Sequence, residues 1–156
     1  MAHVIFHERP GCHNNTRQKV MLAEAGHTVE AHDLLAECWS PEILAPFLET
    51  LPVARWFNPA ATRVKSGEVD PASFSDTPAD RARALAALCA DPLLIRRPLM
   101  EAGGEFRCGF DLREVDAWIG LEKGCDLKGD VQTCPYMDVV EGCQDRFQDS
   151  QARCGA

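Results

Sequence analysis

His3-Val4-Ile5-Phe6-His7-Glu8-Arg9-Pro10-Gly11-Cys12 is an apolar run with partial alternation that stops at a Pro-Gly turn and delivers a cysteine. A helical pattern follows, from Asn15 to Ala25, with Val20, Met21, Leu22 and Ala25 at helical spacing and Gly26 as its end. Asn14 or Asn15 is available as its cap. The order is strand, tight turn, cysteine, helix. First-turn amide groups of such a helix point at the sulfur, and the helix dipole favours thiolate over thiol. A thiolate in that setting is the nucleophile of redox chemistry, so Cys12 is the candidate reactive residue.

Working outward, Thr28-Val29-Glu30-Ala31-His32-Asp33 alternates like a strand at the distance expected of a β-α-β unit. Ser40-Pro41-Glu42 then supplies a cap, a first helical position and a first-turn acid for a helix carrying Leu44, Phe47 and Leu48. A short helical turn is expected at Val53–Phe57, a loop from Pro59 to Gly67, and a further helix over Arg81–Ala90 that starts near Asp76–Pro78. Leu93-Leu94-Ile95 leads into Arg96-Arg97-Pro98-Leu99, and Gly103-Gly104 marks a hairpin turn before Phe106-Arg107-Cys108. Asp111 caps a last helix, Leu112–Leu121. The fold class is therefore α/β, ordered β-α-β, helical insert at about 40–90, β-β-α over residues 1–121. That is the thioredoxin-like arrangement.

The 156 residues suit one domain with an appendage, and the formal charge of −8 argues against nucleic-acid binding, which needs a basic face. No apolar run reaches the ~18 residues of a membrane span, and no basic segment with a long apolar run marks a secretory signal. A cytoplasmic protein is expected. There, permanent disulfides are disfavoured and catalytic or metal roles for the eight cysteines rise. Cys89, in Leu85-Ala86-Ala87-Leu88-Cys89-Ala90, and Cys108, between Phe106 and Phe110, are expected to be small core residues.

Pro10-Gly11-Cys12, Trp56-Phe57-Asn58, Ala90-Asp91-Pro92-Leu93-Leu94-Ile95-Arg96-Arg97-Pro98 and Gly109-Phe110-Asp111 resemble the thioredoxin-fold arsenate reductase (ArsC)/Spx family. Within it the chain looks most like the nitrogenase-associated (NifO-like) branch. The resemblance covers residues 3 to about 121, and the Asp91–Pro98 segment is its most specific part. It implies that Cys12 is the nucleophile and that arginines hold the oxyanion in the arsenate reductases. Of three such arginines only Arg97 carries over; Arg63 is out of register after Asn58, and Phe110 stands where the third belongs. Two missing charge-assisted bonds remove roughly 3–6 kcal/mol of anion binding, or two to four orders of magnitude, which argues against efficient arsenate reduction. The resemblance further implies a hydrogen bond from Asn15 to the sulfur and a cis Pro98 facing Cys12. His13 is either a support for the thiolate when protonated or an exposed surface residue. Arg97 either binds an anion, such as a glutathione carboxylate, or forms a structural ion pair. Glu8 replaces the family's usual histidine, and an acid beside the nucleophile opposes thiolate formation.

Residues 122–156 are acidic and polar without an amphipathic stripe, and are expected to form a cysteine-containing extension, partly ordered at best. Cys125, Cys134, Cys143 and Cys154 lack the close pair usual for zinc or iron–sulfur ligation, so metal is a weak assignment there. Resolving a disulfide on Cys12, pairing between molecules and no role at all remain open for them. The expected function is a nitrogenase-associated monothiol redox protein, with glutathione as co-substrate and glutathione, a glutaredoxin-like thiol protein or a nitrogen-fixation protein as partner. A non-catalytic, Spx-like adaptor and a metallocluster handler using the extension are the alternatives.

Overall fold

A computed structural model of the protein describes residues 1–121. Its central element is strand β1 (His3–Glu8), which pairs in parallel with β2 (Thr28–Asp33), from His3–Thr28 to Glu8–Asp33. Its other edge pairs antiparallel with β3 (Leu99–Ala102), which in turn pairs with β4 (Glu105–Cys108), giving the order β2-β1-β3-β4. The β3–β4 hairpin turns on Gly103 and Gly104, both at positive φ (59° and 80°), as a two-residue type I′ turn requires. The architecture is the thioredoxin-like α/β fold that the element order predicts.

Helix α1 (His13–Glu24) begins earlier than its apolar spacing suggests. Cys12 is the N-cap, its carbonyl accepting from Thr16 N–H and Thr16 Oγ1 (both 3.0 Å), and Asn14 and Asn15 lie buried in the first turn rather than capping it. In the insert, α2 (Pro41–Leu48) has Ser40 as its cap, accepting from Ile43 N–H, and α4 (Pro78–Ala90) has Thr77, accepting from Asp80 N–H. Between them α3 (Thr62–Lys65) is a single helical turn where a loop was expected. Asn58 starts it: its Oδ1 accepts from Ala60 N–H and its carbonyl from Ala61 N–H, each at 3.0 Å. Helix α5 (Leu112–Ile119) is capped by Asp111, whose side chain accepts from Arg113 and Glu114 N–H.

The alternation of β1 divides the core. Val4 and Phe6 join Leu22 of α1, Met100 of β3, and Phe110 and Val115 at α5 in one cluster. On the opposite face Leu99 and Cys108 meet Leu44, Phe47 and Leu48 of α2, Ala84 and Leu88 of α4, and Trp56. His27 fastens the near end of this frame, accepting from Ala2 N–H at Nδ1 (2.9 Å) and donating from Nε2 to the Gly120 carbonyl (2.7 Å). No helix among the described residues is long and apolar enough to cross a membrane. The extension and its Cys125, Cys134, Cys143 and Cys154 lie outside the described residues.

Phe6 is fully buried and Val20 is half exposed on α1. Phe6→Ala is therefore expected to lower the free energy of urea unfolding by about 3–5 kcal/mol, and Val20→Ala to change it by less than about 0.5 kcal/mol.

Candidate functional site

The chain leaves β1 through Arg9-Pro10-Gly11 and enters α1 at Cys12. Gly11 has φ +83°, so the sharp turn there depends on the absence of a side chain. Cys12 N–H donates to the Arg9 carbonyl (3.0 Å) and Arg9 N–H to Asn15 Oδ1 (3.3 Å), while Asn15 Nδ2 donates to Gln18 Oε1 (2.9 Å). Among the described residues Asn15 thus ties the turn to the helix instead of bonding the Cys12 sulfur. The sulfur also makes no capping hydrogen bond. Cys12 is a free cysteine, 6 % exposed, with Pro10, Gly11 and His13 exposed around it. His13 therefore stands on the rim.

Two ion pairs bear on the charge around this turn and loop. Glu8, expected to oppose a thiolate, is buried against Lys19 at 2.8 Å, so its charge is matched within the same layer. Arg63, the out-of-register arginine, is held by Asp91 (2.8 Å) and Glu68 (3.2 Å), and the hydrogen bond to Asp91 is the main reason its pKa is raised. Arg97 differs: it is half-buried and makes no ion pair or hydrogen bond among the described residues. The β1–β3 register ends at His7–Leu99, so Pro98 and Arg97 continue past the sheet on the side where β1 turns toward Cys12. The Arg97–Pro98 peptide is cis, and the Pro98 carbonyl accepts from Gly109 N–H at 2.8 Å. Phe110, next to Gly109, is fully buried. Cys12, Arg97 and Pro98 thus share one end of the sheet, while Arg63 and Phe110 are committed elsewhere.

The other cysteines separate cleanly from Cys12. Cys108 is buried, and burial pushes its thiol up to about 12 although Arg96 and Arg55 pull the other way. Cys89 is half-buried against the α2–α4 cluster, and burial, with Glu42 nearby, raises its pKa. Cys38 is disulfide-bonded, contrary to the expectation that disulfides are disfavoured.

A second polar group on the insert face went unrecognised in the sequence: His7, His32 and Glu37. His7 is buried among Trp39 and Phe47, and burial lowers its pKa, with His32 adding to the effect and Glu37 opposing it. His32 is raised by its hydrogen bonds to Glu30 (2.7 Å) and Glu37 (3.2 Å). The signal available was the β-α-β unit, because a parallel register offset by 25 residues sets His7 beside His32.

The fold is thioredoxin-like, with a buried free cysteine, Cys12, at the N-cap of α1. Among solved structures it is similar to an ArsC family related protein from Bacteroides fragilis (19 % identity, 73 % of this chain and 97 % of that chain, TM-score 0.62). It is likewise similar to an arsenate reductase from Vibrio cholerae (21 % identity, 74 % of this chain and 94 % of that chain, TM-score 0.56). At these identities the likeness is one of fold. The chain belongs to the family of an uncharacterized 15.7 kDa protein in the draG 3′ region of Rhodospirillum rubrum, being 50 % identical to it over 143 residues, 92 % of this chain and 95 % of the relative. No family model matches the chain.

The buried thiol yields a pH test. Cys108 titrates near about 12 in the fold against ~8.5 when unfolded, so the stability it contributes is complete below ~8.5 and is lost as pH rises toward about 12. Native protein at pH 9 to 10 should leave Cys108 unlabelled by iodoacetamide, as read by peptide mass, whereas protein in urea should label it fully. Its melting temperature should fall over that range, and fall less steeply in Cys108→Ala.

Proposed function

We propose that this protein is a monothiol redox protein associated with nitrogen fixation, working through Cys12. The observation that carries the reading is the pairing of a free cysteine at the N-cap of α1 with Arg97, a half-buried arginine without an anionic partner among the described residues, at the same end of the sheet. An arginine in that state is suited to a carboxylate or other anion. The nitrogen-fixation context draws support from the relative in the draG 3′ region.

The step is thiol–disulfide exchange. The Cys12 thiolate attacks one sulfur of glutathione disulfide, a Cys12–glutathione bond forms, and the second glutathione leaves as thiolate. A thiol of a glutaredoxin-like protein then attacks the glutathione sulfur of that mixed disulfide and takes up the glutathionyl group; attack by glutathione itself only reverses the first step. Cys12 is released as thiolate and the electrons come from the incoming thiol. Asn15 occupies the position of a second cysteine in Cys-x-x-Cys, so the exchange uses one protein thiol. Arsenate reduction fits poorly, because Arg63 is held by two carboxylates and Phe110 is packed in the core.

Glutathione disulfide added to the reduced full chain should give one glutathione adduct, mapped by peptide mass to Cys12 and absent in Cys12→Ser. Arg97→Ala should slow its formation about 10- to 150-fold, the equivalent of a lost charge-assisted bond of roughly 1.5–3 kcal/mol. An adduct that forms only on other cysteines, or a rate indifferent to Arg97, would sink the redox reading. The 6 % exposure of Cys12 would then favour an adaptor that binds its partner without turnover.

A further inference from the structure

We propose that His7, His32 and Glu37 form a binding site for a divalent first-row transition ion, with a coordination position open to the cleft beside Trp39 and Phe47. The inference does not use Cys12, which is the N-cap of α1 beyond the Arg9-Pro10-Gly11 turn.

Backbone pairing builds the site. His7 and His32 are direct partners in the parallel β1–β2 register, so their side chains leave the same face of the sheet, opposite Val4 and Phe6. The chain then turns back: Leu34 N–H donates to the Glu8 carbonyl (2.7 Å), Leu35 N–H to Asp33 Oδ1 (2.9 Å) and Trp39 Nε1 to the Leu34 carbonyl (2.8 Å). That turn brings Glu37 up to the two imidazoles. One ligand atom from each of the three residues lies within 4.8 Å of the others. His32 Nδ1 and Glu37 Oε1 are 3.2 Å apart, close to the edge of about 3.3 Å between ligands of a tetrahedral ion at 2.0–2.1 Å bond lengths.

The decisive atom is His7 Nδ1. His7 is 8 % exposed, its Nδ1 is buried, and that nitrogen has no hydrogen-bond partner among the described residues. A core histidine with a purely structural role satisfies its ring nitrogens; an orphan at this depth calls for an explanation, and an ion is one. Behind His32, Nε2 meets Glu30 at 2.7 Å. That is the carboxylate–histidine pairing which orients metal-bound imidazoles, and it leaves Nδ1 turned to the ion.

The donor set specifies the ligand class. Two imidazoles and one carboxylate without thiolate suit zinc, cobalt or ferrous iron and not magnesium or calcium, which take all-oxygen shells. Three protein ligands leave a position for water or a small molecule. His7 and Glu37 also line a cleft of about 290 Å³ with Trp39, Phe47, Glu101 and Phe106, which is where that position faces.

Titration of the reduced full chain with Co²⁺ tests the proposal, because cobalt reports its own ligands. One equivalent should bind in the micromolar range with visible d–d bands and no near-ultraviolet thiolate charge transfer, and Zn²⁺ should displace it while Mg²⁺ does not. His32→Gln, at a half-exposed position, should abolish the bands with the far-ultraviolet circular dichroism unchanged. Glu30→Gln should weaken binding about 10- to 100-fold. A variant with Cys38, Cys125, Cys134, Cys143 and Cys154 replaced by serine should bind as the parent does. The site is overturned if micromolar Co²⁺ does not saturate, if His32→Gln binds unchanged, or if binding carries the thiolate band and disappears with the five serines.

Discussion

The pairing of β1 along both of its edges is the constraint on which the rest of this structure depends. Because side chains alternate, the His3–Thr28 and His7–Leu99 registers decide at once that Val4 and Phe6 enter the α1–α5 core and that His7 enters the insert side. A one-residue slip would place His7 among Leu22, Phe110 and Val115 and turn Phe6 toward Trp39. Register also decides where the chemistry lies. It sets the point at which the chain breaks out at Arg9-Pro10-Gly11 and brings Pro98 and Arg97 to that same end.

Local hydrogen bonding then converts a sheet edge into a rigid turn. Asn15 accepts from Arg9 N–H and donates to Gln18, so the segment before Cys12 is clamped to the helix after it. A sulfur placed by a clamped turn keeps its position relative to the helix axis, which is what makes an N-cap cysteine chemically distinct from one on a free loop. The Glu8–Lys19 pair belongs to the same design: the acid nearest the turn has its counter-charge on α1, at 2.8 Å. The local field at the cysteine is therefore not that of an isolated carboxylate.

What was legible in the sequence was what depends on neighbours along the chain. The strand–turn–cysteine–helix order, the Ser40 and Asp111 caps and the Gly103-Gly104 hairpin are all written within a few residues, and each formed as read. The α1 boundary went astray because two asparagines in series look like caps, whereas Cys12 already holds the N-cap and the asparagines turn inward. Tertiary contacts left weaker traces. The polar triad joins residues 7, 32 and 37 through a parallel register and a reverse turn, and no short-range spacing announces it. Register in the sequence already separates Arg97 from Arg63; the fold adds that Arg63 faces Asp91 and Glu68 and that Arg97 faces no carboxylate among the described residues.

Phe110 and Arg63 limit how an anion could be held at this end of the sheet. Phe110 does not merely fill a position where an arginine is expected; it is fully buried in the cluster with Phe6, Met100 and Val115. Placing an arginine there would bury a charge in an apolar layer, a cost of several kcal/mol unless an anion or carboxylate came with it. The α1–α5 core is thus packed around Phe110, and an arginine introduced there would damage the fold. Arg63 is similarly committed, through Asp91, which is also the cap of the Pro92–Leu94 turn, so releasing the arginine would disturb the segment leading to Pro98. Among the described residues Cys12 and Arg97 lie at the same end of the sheet, with Arg63 held by two carboxylates and Phe110 inside the core.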